Sequence, residues 1–336
     1  MELVYHDLSR TEEIKSFIQE WENSSDYILC TTSGSTGNPK PIQLAKKLVE
    51  HSAERTIKHL GLRSGMKAGL ALSTQTIGGK LMVIRALLAH MELHVLPICK
   101  NPLEFVQTPL DFVALVPIQA MEFITSGAQS QRDATVLIGG APLSSPQHQA
   151  IQAYWNNAYQ SYGMTETASH VALRKITSDE EAPYLALDGI SFKTQDSQLV
   201  IACKDFKQKE LLTTDCVDLL SPQSFRYKGR MDFVINSGGK KIHPELLEHK
   251  LKEALRGDYM IVPFDDSIYG QGIGLILTDG THEVSIARFK SIPSIEPHEI
   301  PRKYMVVERL KRNAAEKLDR KGMIDESTRY VWSTVL

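Results

Sequence analysis

Cysteine is scarce and scattered. The four residues, Cys30, Cys99, Cys203 and Cys216, stand far apart with no Cys-x-x-Cys pair, so their spacing suggests neither a zinc site nor a disulfide framework. A reducing compartment, the cytoplasm, is the expectation. Long hydrophobic runs are missing too: no stretch reaches 18 apolar residues, so no membrane span is expected. Met1 to Arg10 lacks the basic-then-apolar order of a secretion signal. Neither sign of charge dominates. Lys and Arg number 38 against 40 Asp and Glu, a formal net charge of −2, which leaves no whole-molecule field to gather nucleic acid or an anionic membrane. Partners must therefore be argued from local sites, and the oligomeric state is not legible.

What is present is an ordinary globular composition. The 336 residues, 42% apolar and 23% charged, suffice for a sizeable core and two domains. From Asp26 to about Leu143, short apolar runs alternate with longer stretches of helical spacing, the pattern of βαβ units on a buried parallel sheet and hence of the α/β class. Tyr27 to Cys30 reads as a buried strand. Leu44, Leu48, Ala53, Ile57 and Leu60 then recur at helical intervals up to Gly61, predicting the order strand, loop, helix. Further strands are expected at Ala68 to Leu72, Leu93 to Leu96, Phe112 to Val116 and Val136 to Ile138, with a buried helix over Gly78 to His90. From Phe192 to Phe233, short alternating runs broken by turn residues predict an antiparallel subdomain. A smaller α+β pattern follows, with a helix from Pro244 to Arg256 and strands at Ile273 to Leu277 and Tyr304 to Val307. The boundary is expected near Asp232, giving domains 1–231 and 232–336.

The chemistry is concentrated in short motifs. Thr32-Ser33-Gly34-Ser35-Thr36-Gly37-Asn38-Pro39-Lys40 follows a strand directly and offers hydroxyls, two glycines and a lysine. Glycine lets backbone N–H groups converge on an anion, hydroxyls add donors and lysine adds a mobile charge, so the loop can cradle phosphate. It is not a Walker A loop, because Pro39 stands where the second glycine would fall. Read alone, the same residues also describe a polar turn.

This segment resembles the signature loop of the adenylate-forming superfamily, which includes acyl-CoA synthetases, adenylation domains and luciferases. The resemblance continues in order along the chain. Ser161-Tyr162-Gly163-Met164-Thr165-Glu166-Thr167 is similar to the second ATP motif, which implies that Thr165 meets the α-phosphate and Glu166 helps hold Mg²⁺. Val136 to Pro142, with Gly139, Gly140, Ala141 and Pro142 at its end, resembles the segment lining the adenine pocket. Thr213-Thr214-Asp215 resembles the element whose aspartate accepts from the ribose hydroxyls, although Thr214 replaces the usual glycine. Gly229-Arg230-Met231-Asp232 implies a ribose contact at Arg230 and a hinge at Asp232. Asn236 to Glu245 resembles the loop in which Gly238 and Gly239 line a thiol tunnel.

Pro301 to Lys321 carries eight Lys or Arg against Glu308, Glu316 and Asp319, which in isolation reads as a solvated basic face. Lys317-Leu318-Asp319-Arg320 is nevertheless similar to the family's C-terminal element, whose lysine helps form the adenylate. Here Glu316 precedes the lysine instead of glycine, and Lys311 is the alternative cation.

The resemblance implies ATP, Mg²⁺ and the co-substrate CoA, a small-molecule carboxylic acid as partner, and an acid–thiol ligase reaction that releases AMP. No nucleic acid is expected, since Tyr304 alone interleaves the basic stretch. Only 31 residues precede the signature loop, so the chain reads as a shortened member. It looks most like the short bacterial o-succinylbenzoate–CoA ligases of menaquinone biosynthesis. Candidate acid-slot residues are Gln75, Thr76, Gly78, Gly79 and Gln119, with Arg85 either a carboxylate partner or half of a structural ion pair. The histidine or aromatic residue common near 76–79 in such ligases is absent. An amino-acid-activating domain would need an acid between Gly69 and Arg85, where none stands. A non-catalytic adenylate binder is the other alternative.

Overall fold

The computed structural model describes residues 1–31, 40–252, 254–255, 257–278, 284–312, 318–327 and 331–335. They form two compact units: Met1–Lys193 with Val200–Leu211 and Leu219–Arg226, and Thr194–Leu199 with Leu212–Asp218 and Tyr227–Leu336.

The first unit is an α/β sheet with helices between its strands. In chain order it holds β1 (Glu2–Tyr5), α1 (Thr11–Glu22), β2 (Tyr27–Thr31), β3 (Pro41–Ala45), α2 (Lys46–Leu60), β4 (Lys67–Leu70), α3 (Ile77–Leu88) and β5 (Glu92–Val95). There follow β6 (Phe112–Leu115), α4 (Pro117–Thr125), β7 (Thr135–Ile138), α5 (Ser145–Tyr154), β8 (Ala158–Met164), β9 (Ser169–Lys175) and β10 (Tyr184–Ala186). Strands β1, β5, β4, β6, β7 and β8 are parallel in that order; β9 and β10 extend the sheet antiparallel. Burial on both faces explains the unbroken apolar runs, as at Phe112 to Leu115, where every residue is buried. Helix α2 ends where Gly61 takes φ +65°, a left-handed cap that costs glycine nothing. Four strands, β11 (Ile190–Gln195), β12 (Gln198–Cys203), β13 (Glu210–Ser221) and β14 (Ser224–Arg230), supply the alternating segment expected between Phe192 and Phe233.

One expectation is corrected at the phosphate loop. Tyr27 to Cys30 is not a buried member of the parallel sheet: its side chains alternate exposed and buried, and β2 pairs antiparallel with β3 from Tyr27↔Ala45 to Thr31↔Pro41. A second strand, β3, therefore stands between the signature segment and α2. Leu44 belongs to the second strand, because its spacing from Leu48 fits a helix while its alternation with Ile42 fits a strand.

The second unit carries β15 (Ile235–Ser237), β16 (Lys240–Ile242), α6 (Pro244–Leu251), β17 (Tyr259–Asp266), β18 (Gly270–Leu277), α7 (Ile286–Lys290), β19 (Lys303–Val306), α8 (Arg320–Ser327) and β20 (Ser333–Thr334). Its α+β class agrees with the pattern read from sequence. Leu247, Leu251, Ile261, Leu275 and Phe289 form its core. Strand β17, absent from the sequence reading because Pro263 interrupts it, pairs only with β18, and such one-sided strands tolerate proline.

Candidate active site

The hairpin β2–β3 holds the two ends of the signature segment at strand-pair distance, with Thr31 opposite Pro41 and Lys40 exposed beside it. Thr32, Ser33, Gly34, Ser35, Thr36 and Gly37 lie outside the described residues, as does Lys317. The flanks of the latter are fixed: Arg312 and Leu318 form an antiparallel bridge, and the Asp319 N–H donates to the Lys311 carbonyl at 2.9 Å. Lys311, the alternative cation, is ion-paired with Glu326.

The second ATP motif occupies the end of β8 and a short 3-10 turn, Thr165–Thr167. Gly163 is required by proximity, since a Cβ there would lie 2.2 Å from the Ser169 carbonyl oxygen. The turn closes with Ala168 at φ +51° and Ser169 at φ +80°, conformations that non-glycine residues adopt at a cost. Thr167 fastens it: its hydroxyl accepts from the Met164 N–H at 3.0 Å and lies 2.5 Å from the Ser169 carbonyl oxygen. Thr165 is thereby buried and Glu166 left exposed. Tyr162 packs its ring against Tyr184 and Phe225 at 5.7 and 4.9 Å. At the neighbouring strand end, Gly139 admits Ser161, whose Oγ would stand 2.7 Å from a Cβ on residue 139, and Gly140 adopts φ +88°. Ala141 is half-buried and Pro142 exposed beyond it. Among the described residues no group of three or more His, Cys, Asp or Glu is gathered for a metal ion. One exposed carboxylate, Glu166, suits a hard cation that keeps its other positions for water and phosphate oxygens.

The acid-side candidates surround the start of α3. Thr76 caps the helix, its Oγ1 accepting from the Gly79 N–H at 3.3 Å and donating to the Ser73 carbonyl at 2.8 Å. A Cβ on Gly79 would fall 2.1 Å from that same carbonyl oxygen, so glycine is obligatory; Gly78 faces Leu72. Gln75 is exposed. Gln119 is committed to backbone: its Nε2 donates to the Ala71 and Cys99 carbonyls at 3.1 and 3.2 Å, and its Oε1 accepts from the Val116 N–H at 3.1 Å. That amide ties strand ends together.

Arg85, two turns into α3, is 1% exposed. Its Nε and Nη2 have no hydrogen-bond partner among the described residues, and the other terminal nitrogen reaches only Met82 Sδ at 3.8 Å. Burial pushes its pKa down to about 9. The structural ion pair that sequence left open is not formed among the described residues. Its charge is felt at His170, which burial first, and then Arg85 and His59, hold well below the usual histidine range. Neutral His170 bonds Thr56 Oγ1 through Nε2 at 2.9 Å. Arg85 thus lies near the strained turn that follows Glu166. Sequence reading gave Thr167 no role although it closes the motif, and missed His170, whose only signal was adjacency to it.

In the second unit, Asp215 takes an N–H to Thr213 Oγ1 contact of 3.1 Å, and Thr213 itself is buried, donating to the Leu199 carbonyl at 2.9 Å. Arg230 donates to Asp232 at 2.6 Å. Glu245, quoted at the end of the Asn236 match but given no role, has its Oε2 2.3 Å from where a Cβ on Gly229 would lie and feels the charge of Asp215. Burial, opposed by Arg320, pushes its carboxyl up to about 7. Gly238 and Gly239, at φ +57° and +78°, form the two-residue connection between β15 and β16, a mirror-image turn for which Gly-Gly is well suited.

Over residues 4–198 the chain matches the AMP-binding enzyme family. The chain belongs to that family, and its class is that of AMP-forming acid–CoA ligases. Among curated relatives, a 2-succinylbenzoate–CoA ligase of Listeria monocytogenes is 25% identical across 94% of this chain and 73% of that protein. Among solved structures, an acyl-CoA synthetase (AMP-forming)/AMP-acid ligase II-like protein from Dyadobacter fermentans is 28% identical, with 94% and 93% of the two chains covered and a TM-score of 0.61. O-succinylbenzoate coenzyme A synthetase from Bacillus subtilis, solved with ATP and magnesium ion, shares the fold at 21% identity, 87% and 68% coverage and a TM-score of 0.72.

Proposed function

We propose that this protein converts o-succinylbenzoate to its CoA thioester through an acyl-adenylate. The observation that carries the choice of acid is Arg85: a buried guanidinium without a counter-ion among the described residues suits a substrate bringing a second carboxylate, and α3 also carries Gly78 and Gly79. The named relatives support the same acid.

In the first half-reaction, the reacting carboxylate oxygen attacks the α-phosphorus of ATP, a P–O bond forms and the bond to pyrophosphate breaks. The signature residues Thr32 to Gly37, with Lys40, hold phosphates; Thr165 donates to the α-phosphate; Lys317 stabilises charge on the transferring group. Glu166 would help hold Mg²⁺, which would supply positive charge to offset the repulsion between the phosphates and the incoming carboxylate. Gly139, Gly140, Ala141, Pro142, Ser161 and Tyr162 bound the adenine, and Asp215 and Arg230 take the ribose. The second half-reaction forms the C–S bond as the C–O bond to AMP breaks and the thiol proton leaves. Domain 232–336 turns about Asp232 between the two, and Gly238 and Gly239 give the pantetheine arm a close backbone passage.

The test is a panel of aryl and alkyl monoacids and diacids, o-succinylbenzoate included, scored for ATP- and CoA-dependent pyrophosphate release. The expected winner is the aryl diacid. Preference for a monoacid overturns the substrate, and no pyrophosphate exchange with any acid favours a non-catalytic adenylate binder.

A further inference from the structure

Helix α1 and the turn before it lie outside every motif, yet they reach both sides of the reaction. Arg10 is 3% exposed and spends its guanidinium on three backbone carbonyls: Leu70 and Leu96 from Nη1 at 2.9 and 2.7 Å, and Leu72 from Nη2 at 2.7 Å. These carbonyls follow the C-terminal ends of the parallel strands β4 and β5, the edge where α/β sheets bind ligands. Arg10 Nε pairs with Glu13 at 2.9 Å. Glu13 Oε1 in turn accepts from the Thr74 N–H at 2.5 Å, the Thr74 hydroxyl at 3.0 Å and the Ser73 hydroxyl at 2.9 Å. The Ser73 carbonyl then takes the Thr76 hydroxyl and abuts Gly79.

The same helix makes a second junction one face-repeat later. Glu20 accepts from the Leu29 N–H of β2 at 2.7 Å through one oxygen and from Lys80 at 2.6 Å through the other, while Lys80 lies 4.4 Å over the Phe17 ring. One carboxylate thus joins the strand that enters the phosphate loop to the first turn of the acid-side helix.

We propose that α1 is a brace, with Arg10, Glu13 and Glu20 as positioning residues that set the segment 71–76 and the start of α3 against β2 and so align the acid with the ATP phosphates. Alignment of two reactants is a large source of rate, and small displacements are expensive. A buried charged pair bonded to backbone at both ends transmits position, because removing either partner leaves the other unsatisfied. The proposal rests on the acid site being where "Proposed function" puts it.

The test compares Glu13→Gln with Glu12→Gln, its exposed neighbour, in ATP–pyrophosphate exchange on the full chain. Glu13→Gln keeps the shape but turns an amide N–H toward Arg10. The expected result is a rise of about tenfold in KM for the acid, with KM for ATP within about twofold and Glu12→Gln unchanged. Glu20→Gln is expected to raise both KM values. Thermal midpoints taken in parallel guard against a folding effect, and if Glu13→Gln is insoluble, Thr74→Val removes one bond of the same junction and carries the same expectation. Equal rises in both KM values for Glu13→Gln, or an unchanged kcat/KM for the acid, overturns the brace. Exchange by the unaltered protein with no acid at all overturns the underlying site instead.

Discussion

A guanidinium held away from water is destabilised in its charged form, and Arg85, with no counter-ion among the described residues, shows it in a pKa that burial brings down to about 9. Substitution by methionine, shorter and flexible but apolar, removes that penalty. Arg85→Met is expected to raise the thermal midpoint by the equivalent of about 1 kcal/mol while raising KM for the diacid about tenfold and leaving KM for ATP alone. Differential scanning calorimetry and exchange kinetics on one preparation check both halves. A lowered midpoint would mean that the charge is needed for folding. Glu245 is a carboxyl whose pKa burial raises against the pull of Arg320. Its folded value of about 7 exceeds the ordinary 4.5, so its contribution to stability is full below about pH 4.5 and is lost as pH rises through 7. Glu245→Gln imitates the protonated form, and its midpoint is expected to fall less than the wild type's between pH 5 and pH 8. Midpoints measured at the two pH values decide it.

At the scale of elements, the sequence was legible where one local rule sufficed. The parallel strands showed as unbroken apolar runs because both faces are covered, and Gly61, Gly163 and Gly79 mark places where a Cβ meets backbone or a left-handed cap is needed. The short strand β3 was hidden because Ile42 and Leu44 satisfy two periods at once. Helix α1 was hidden because only Ile14 and Phe17 are buried among its twelve residues, too thin a stripe to stand out from its charges. The partners of Arg10 before it, Leu70, Leu72 and Leu96, are backbone carbonyls at least 60 residues away, and that of Glu20 is the Leu29 N–H; no side-chain pattern reports a backbone group. The same holds for Gln119, whose polar character suggested a ligand contact and whose amide is occupied by strand ends. Glu245 closed the match from Asn236 without a role of its own; what sets it apart is the missing Cβ of Gly229.

For the molecule as a whole, the adenylation and thioester-forming half-reactions proposed above have requirements that can be separated by experiment. Lys317→Ala is expected to cut adenylate formation about 10²-fold while thioester formation from pre-made adenylate persists. Equal loss in both half-reactions would remove Lys317 from its role, and the pairing of Lys311 with Glu326 makes that residue a poor substitute. No helix among the described residues is long and apolar enough to cross a membrane.

The chain crosses repeatedly between its compact units, with Thr194–Leu199 and Leu212–Asp218 belonging to the unit that otherwise starts at Tyr227. Ancestry and engineering therefore meet a constraint that no linear boundary expresses. A recombination event joining this chain's first 226 residues to a relative's remainder would strand two short pieces of the old partner inside the new one. The exchangeable module is the tail together with both inserted segments, and hybrids that respect it keep Asp215 with Glu245, whose carboxyl feels its charge.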